Sequence, residues 1–420
     1  MPPRYNWITS GRKSYFIDMK SRIVGAVEIG TSKVLVLVGD FVRGQTLNII
    51  GMGQSTSVGV KKGEIVDFKA ASGATHAALM AAEKSAGVPI ENICVAQTGA
   101  HTHALYQRAS VRIRSSDNIV DSADMQRVQE EVKNKELPTS RTYIQHAFNC
   151  YYVDGRPVLN PLGMEGQCLD AEYWSFDGDT QKVKHTINIL NGFGLRVEDM
   201  VMSSLASASV AATSVEKKHG VLVIDIGCGT TDYAVFKNNK IVAVGCIPVG
   251  GDHWTNDLSL GLRVSGKHAE KVKKEMGNCI VPEAEREKKV WIIGDKTIGD
   301  RYVRQDAIFQ IIRARTEELL SLIKKSIEAT LPLSELAGGA VFTGGGSRLK
   351  GLPEVGSDLF GIDVRLAENP TIAGERLRDP EFSTALGLLH FSLKEKHKDY
   401  ITASARTETL FKKMSKLFVI

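Results

Sequence analysis

The apolar pattern of the chain changes period several times. Residues 23–40, IVGAVEIGTSKVLVLVGD, open as an apolar run, break at Gly30-Thr31-Ser32 and resume as a second run of mostly β-branched residues and leucine. That pattern predicts two strands joined by a tight turn. Residues 221–236, VLVIDIGCGTTDYAVF, repeat it: with Glu28 set on Asp225, Ile-Gly falls on Ile-Gly at an offset of 197 residues. Two long halves that begin with the same device predict a duplicated fold with a cleft between the copies. At 338–352, GGAVFTGGGSRLKGL, an apolar strand runs into three glycines and then Ser347 and Arg348, which can open a helix. Between the repeats lie a charged helical stretch at 121–136 and short strands punctuated by Asp154-Gly155, Asn160-Pro161 and Asp177-Gly178, the make-up of a small α+β unit.

The two ends read differently. Residues 1–20 carry Arg4, Arg12, Lys13 and Lys20 but no apolar run long enough for a signal peptide, and are expected to form a short, poorly ordered extension. Beyond 392 the sequence SLKEKHKDYITASARTET is polar and aperiodic, a tether of about 15 residues. The last stretch, TETLFKKMSKLFVI at 407–420, is amphipathic. On a helix at about 100° per residue, Leu410, Phe411, Met414, Leu417 and Phe418 share about a third of the circumference, and Lys412, Lys413 and Lys416 lie opposite. The pattern alone leaves open whether the apolar face packs on a core or meets something else.

Length makes two or more domains the expectation for 420 residues. Composition is that of a globular protein, with 43% hydrophobic and 24% charged residues. A net charge of +5 and the lack of a basic-aromatic stripe give no support to nucleic-acid binding. The six cysteines (Cys94, Cys150, Cys168, Cys228, Cys246, Cys279) are scattered without metal spacing and read as reduced, mostly buried thiols. No run of about 18 apolar residues predicts a membrane-spanning helix.

The glycine turns carry the candidate chemistry. Glycines at a strand turn bring bare N–H groups to an anion, and Thr or Ser adds donors without bulk. An acid ending the preceding strand, Glu28 or Asp225, suits Mg²⁺ held through water. Lys33 can place a point charge on a terminal phosphate. Gly344, Gly345 and Gly346 allow a flat base or sugar to approach the backbone. Neither a Walker A motif nor a GxGxxG fingerprint is present.

The order of two phosphate turns and a glycine-rich adenosine turn resembles the actin/DnaK-like/sugar-kinase superfamily. Within it, YYVDGRPVLNPLGMEGQCLDAEYWSF (151–176), IPVGGDHWTNDLSLGLRVSGKHAEKVKKEMG (247–277), IIRARTEELLSLI (311–323) and TALGLLHF (384–391) resemble the bacterial cell-division FtsA family. The resemblance implies an α/β, actin-like two-lobed fold with duplicated five-stranded sheets, an inserted α+β subdomain and a C-terminal amphipathic helix. It divides the chain into an extension (1–20), a first lobe (21–104 and 186–215) interrupted by the insert (105–185), and a second-lobe core (216–262 and 336–383) with an outer subdomain (263–335). A return helix to the first lobe (384–394), a linker (395–406) and a membrane-targeting helix (407–420) would follow.

Carried over by motif, Gly30, Thr31, Ser32 and Lys33 would form the first phosphate loop, and Asp225, Gly227, Gly229, Thr230 and Thr231 the second. Gly250 and Gly251 would line the far side of the phosphates. Glu270 and Lys273, three apart on one helical face, would reach ribose and adenine, though their spacing equally suits a solvated intrahelical pair. Gly344, Gly345 and Ser347 would close over the base. Glu28 stands where the superfamily usually has Asp, Cys228 sits where a small residue is expected and is read as a packing residue, and Gln167-Cys168 replace the usual arginine before the leucine.

The resemblance further implies ATP and Mg²⁺ as ligands, with ATP chiefly controlling conformation and assembly and turning over slowly. Candidates for orienting a hydrolytic water are Asp225 and Gln97, the latter in the AQTGAHT turn with Thr98 and His101. His101 is read as a surface or interdomain residue. The implied partners are FtsZ through its C-terminal peptide, further copies of the chain in filaments, anionic phospholipid through the 407–420 face, and later division proteins. The implied location is the cytoplasmic side of the inner membrane at the division site. A pilus-assembly homologue of the PilM type and a small-molecule kinase of the same superfamily are the alternatives.

Overall fold

A computed structural model of the chain describes residues 22–41, 47–281, 283–294, 299–370 and 374–392. The amphipathic stretch 407–420 and residues 1–20 lie outside the described residues.

The first lobe is built on a five-stranded sheet in the order Arg196–Met202, Asn92–Gln97, Arg22–Ile29, Lys33–Phe41, Leu47–Thr56. Its first three strands in sequence form an antiparallel meander, and the two later strands add in parallel. The second lobe repeats this arrangement as Lys240–Ile247, Thr231–Lys237, Val221–Ile226, Ala340–Thr343, Val364–Leu366. Its meander is again antiparallel and its last two strands parallel. The repeat seen between residues 28 and 225 is therefore a duplicated sheet.

The opening hairpins are apolar without alternation because both sheet faces are covered. In the first lobe Val34, Val36 and Val38 point to one core, with Ala78, Leu79 and Ala82 of helix Phe68–Ala86. Leu35 and Leu37 point to the other, with Ala385, Leu386, Leu388 and Leu389. In the second lobe Leu222, Ile224 and Ile226 face one core and Val221 and Val223 another.

Two helices tie the lobes together behind the cleft. Helix Ser203–Ala211 follows the last first-lobe strand and packs Leu205 and Ala208 on Val221, Val223 and Ala234 of the second. The helix over 383–392 returns from the second lobe and buries its leucines in the first. Their backbones approach so closely that a Cβ on Gly387 would stand 1.8 Å from the Ala206 carbonyl oxygen. Only glycine allows that approach.

The insert is a four-stranded sheet, His103–Arg112, Cys168–Asp179, Arg141–Val153, Arg156–Val158, backed by helix Ser122–Lys133. Val128 and Val132 of that helix pack on Leu169, Ala171, Tyr151 and Tyr173. The Asp154-Gly155 pair turns the hairpin with φ of 48° and 78°. Asp154 Oδ1 accepts the N–H groups of Gln167 and Cys168 at 3.0 and 2.9 Å, so the two unusual residues are held through their backbone. The insert also leans on the second lobe: Trp174 donates its indole N–H to the Ile241 carbonyl at 2.9 Å. The outer part of the second lobe packs helices Gly251–Leu262, Gly266–Met276 and Gln305–Glu328 around Trp254, Leu258, Val272, Ile312 and Leu319. Among the described residues no helix is long and apolar enough to cross a membrane.

Candidate functional site

Each hairpin turn closes in the same way. Gly30 donates its N–H to the Lys33 carbonyl at 3.0 Å, and Gly227 donates to the Thr230 carbonyl at 2.9 Å. The duplication thus extends to a single hydrogen bond. The two turns face each other across the lobes and, with the Gly344–Gly346 turn, line a cleft of about 450 Å³. A volume of that size suits a small organic ligand. The glycine turns sit close against their surroundings: a Cβ on Gly229 would lie 2.5 Å from the Thr31 hydroxyl of the opposite turn. Gly344 adopts φ 82° and ψ 166°, a region open essentially to glycine, and passes over the Asp225 carboxylate.

Three carboxylates gather on the cleft floor. Glu28 keeps Oε2 buried with no hydrogen-bond partner among the described residues. Burial pushes its carboxyl up to about 7; Lys33 opposes the rise, and the charges of Asp225 and Glu381 add to it. Asp225 accepts the Thr384 hydroxyl at 2.8 Å, and burial raises its pKa despite that bond. Asp232 is taken up to about 7 by burial first and by Asp225 next. It accepts the Thr98 hydroxyl at 2.8 Å, a bond from one lobe to the other. Such a floor favours a bound cation, or protons, over three bare charges.

The far wall comes from helix Gly266–Met276. Lys273 Nζ lies 2.6 Å from Glu270 and donates to the Gly251 carbonyl at 2.9 Å and the Thr255 hydroxyl at 2.8 Å. Both residues line the cleft, so the three-residue spacing is not a solvated surface pair. Cys228 donates its thiol to Asp252 at 2.9 Å and is pushed by burial up to about 12, which keeps it an unreactive packing residue at neutral pH.

Of the residues singled out by sequence, Glu28, Gly30, Thr31, Ser32, Lys33, Gln97, Asp225, Gly227, Gly229, Thr230, Gly251, Glu270, Lys273, Gly344 and Gly345 all line the cleft. Thr231, Gly250 and Ser347 stand behind it. Thr231 donates to the Val249 carbonyl at 2.8 Å, Gly250 caps the helix that follows, and Ser347 donates to the Gly344 carbonyl at 2.7 Å. Gln97 is buried, its Oε1 without a partner among the described residues. His101 is buried at the junction with the insert, its Nδ1 3.4 Å from Glu64 and its carbonyl accepting from Arg141 at 3.0 Å. Of its two readings, the interdomain one describes its place.

Sequence reasoning passed over Asp232, Glu381 and Thr384. Asp232 left a signal, a charge inside the apolar strand that follows the second turn. Glu381 left none; Thr384 opens the TALGLLHF segment and the expected return helix, but nothing in that segment marked it as a cleft residue.

Two duplicated lobes, a cleft floored by paired hairpin turns and two crossing helices at its back define a protein of the actin-like fold. A chain of the PilM-PilN type IV pilus biogenesis complex superposes with a TM-score of 0.62 at 18% identity, covering 88% of this chain and 98% of that one. The crystal structure of MreB 5 of Spiroplasma citri bound to AMPPNP gives a TM-score of 0.55 at 16% identity, covering 91% and 99%. Residues 222–387 match the family model "Cell division protein FtsA", and residues 99–175 match "SHS2 domain inserted in FTSA". The cell division protein FtsA of Bacillus subtilis (strain 168) is 32% identical over 88% of this chain and 83% of its own length. That of Neisseria meningitidis serogroup B is 32% identical over 90% and 92%. The chain belongs to the FtsA family of cell-division proteins.

Proposed function

We propose that this cell-division protein binds ATP between its lobes, polymerises in the ATP-bound form, and attaches the FtsZ ring to the membrane through its 407–420 tail. The observation that carries the nucleotide reading is the pair of identically closed turns facing each other across the cleft. Backbone N–H groups of both turns would cradle the phosphates from opposite sides, so ligand binding would hold the lobes closed. The fold neighbour seen with AMPPNP supports the same reading.

Mg²⁺ fits the floor of the cleft. Glu28 Oε2 is a buried acceptor without a partner among the described residues, and Glu28 and Asp225 both hold their protons more tightly than free carboxyls do. These two residues would hold the ion through water, where it would neutralise phosphate charge. Among the described residues no group of three or more metal-binding side chains forms a direct site. Gln97 Oε1 and Asp225 are the groups we assign to orienting a water for slow hydrolysis.

Membrane attachment rests on the tail's sequence. Five large apolar side chains, partly buried at an interface, contribute on the order of 5 kcal/mol after ordering costs. Three lysines near anionic lipid add roughly 1 kcal/mol each. One copy would hold weakly, whereas a filament presenting many copies would raise apparent affinity about 10²-fold or more. FtsZ, through its C-terminal peptide, and later division proteins are the partners that family membership suggests, at the cytoplasmic face of the division site.

Isothermal titration with ATP-Mg²⁺, ADP and adenosine tests the nucleotide reading. It expects ATP to bind more tightly than adenosine, and Lys33→Met to erase most of the difference. Equal affinity for ATP and adenosine would overturn it.

A further inference from the structure

One carboxylate bridges cations of both lobes at the mouth of the cleft. Glu381 sits in the turn Pro380–Phe382, just before the return helix. Its Oε2 accepts from Lys33 Nζ at 2.9 Å, and its own carbonyl accepts from the same amine at 3.0 Å. Its Oε1 accepts from Arg348 at 2.8 Å. Lys33 belongs to the first-lobe turn and Arg348 to the glycine turn of the second, so Glu381 links the two. The segment around it is anchored. Asp379 takes the Glu381 N–H at 2.9 Å and Arg348 Nε at 2.9 Å, and Thr384, three residues on, bonds Asp225. Lys33 also lies 4.7 Å over the Phe382 ring.

We infer that Glu381 is an internal stand-in for phosphate, which the terminal phosphate of a nucleotide must displace from Lys33 in order to bind. Lys33 is the one lysine of the first turn, and with Glu381 in place its charge is already matched. A polyanion reaching Lys33 exchanges one charge-assisted bond for another and adds repulsion from the displaced carboxylate. Glu381 then remains with Arg348 alone. It therefore lowers affinity for nucleotides long enough to reach Lys33 and leaves shorter ligands unaffected. The residue sets selectivity among tri-, di- and unphosphorylated nucleosides. Because the same turn leads into the helix that crosses back to the first lobe, the exchange also reports phosphate occupancy to the interlobe joint.

This inference rests on the ATP reading above, and a double-mutant cycle separates the two. ATP-Mg²⁺, ADP and adenosine are titrated into the full chain, Glu381→Gln, Lys33→Met and the double variant. Glu381→Gln is expected to tighten ATP by roughly three- to tenfold, the scale of a partly exposed ion pair. It should change adenosine by less than about twofold. In the Lys33→Met background the gain should vanish. Glu381→Asp, one methylene shorter, weakens the bond to Lys33 but keeps the repelling carboxylate, and should show a smaller gain than Glu381→Gln. Tightening of equal size with and without Lys33 would show only a distant charge effect and overturn the exchange. No tightening in either Glu381 variant would overturn it too. Failure of the unaltered chain to prefer ATP over adenosine would instead refute the nucleotide reading beneath it.

Discussion

Replacing Gly344 by alanine tests whether the glycine turn is shaped by Asp225. At φ 82° and ψ 166° the backbone is in a region that costs a residue with a Cβ about 1–3 kcal/mol. The added Cβ would also stand 2.2 Å from Asp225 Oδ1 and 2.6 Å from the Ile226 carbonyl oxygen. The carbonyl is fixed backbone, and the carboxylate is held through Oδ2 by Thr384 at 2.8 Å, so the carboxylate must turn and loosen that bond. Weakening a charged hydrogen bond costs about 1.5–3 kcal/mol more. Gly374 provides the control: its φ of 83° and ψ of 160° are nearly the same, and an added Cβ would meet nothing within 4 Å among the described residues. Gly374→Ala should therefore lose only the backbone cost, and Gly344→Ala about 2–3 kcal/mol beyond it. Urea unfolding followed through Trp254, buried in the second-lobe core, measures both variants. ATP affinity, titrated alongside, should fall more than about tenfold for Gly344→Ala only. Equal destabilisation by the two substitutions would refute the claimed contact between turn and carboxylate.

Other consequences follow from the cleft floor. Glu28 holds its proton to about 7 when folded against 4.5 ordinarily, so between those values the folded state binds more protons and stability falls as pH rises. Glu28→Gln removes that loss: nucleotide-free variant and wild type should match near pH 4, below the ordinary carboxyl value, and the variant should gain up to about 3 kcal/mol by pH 8. Parallel pH profiles of the unfolding midpoint would contradict this. Thr98→Val removes the donor to Asp232 and breaks the bond between lobes; it should cost about 1–3 kcal/mol and increase amide exchange in strands 92–97 and 231–237. Cys228, its thiol pushed up to about 12, should resist iodoacetamide at pH 7.5 in the folded chain and react after unfolding, as peptide mass mapping will show.

Much of the fold was legible because its signals are local. The Glu28 and Asp225 hairpins announce themselves by doubly buried strands around a glycine break, and the insert by its turn pairs and charged helix. The Gly344–Gly346 turn was legible because three successive glycines mark a close approach. What stayed hidden depends on chain return. The family resemblance implied a return helix at 384–394, but neither it nor any spacing in the sequence placed the side chains of Glu381 and Thr384 in the cleft. The hairpin 60–65, whose Gly63 N–H donates to the Thr31 hydroxyl at 3.2 Å, is similarly placed by tertiary packing. Glu270 and Lys273 show the limit of spacing: the same three-residue offset suits solvent or a cleft wall, and only the packing of helix Gly266–Met276 decides.

Sedimentation with anionic vesicles, using the full chain and a chain ending at residue 406, tests ATP-dependent attachment most directly. With ATP-Mg²⁺ the full chain should pellet with vesicles and show filaments on them by electron microscopy. Without nucleotide it should bind far less. The shortened chain should bind ATP with unchanged affinity and pellet no more with vesicles than without them. Vesicle binding by the shortened chain, or equal binding of the full chain with and without ATP-Mg²⁺, would contradict the account.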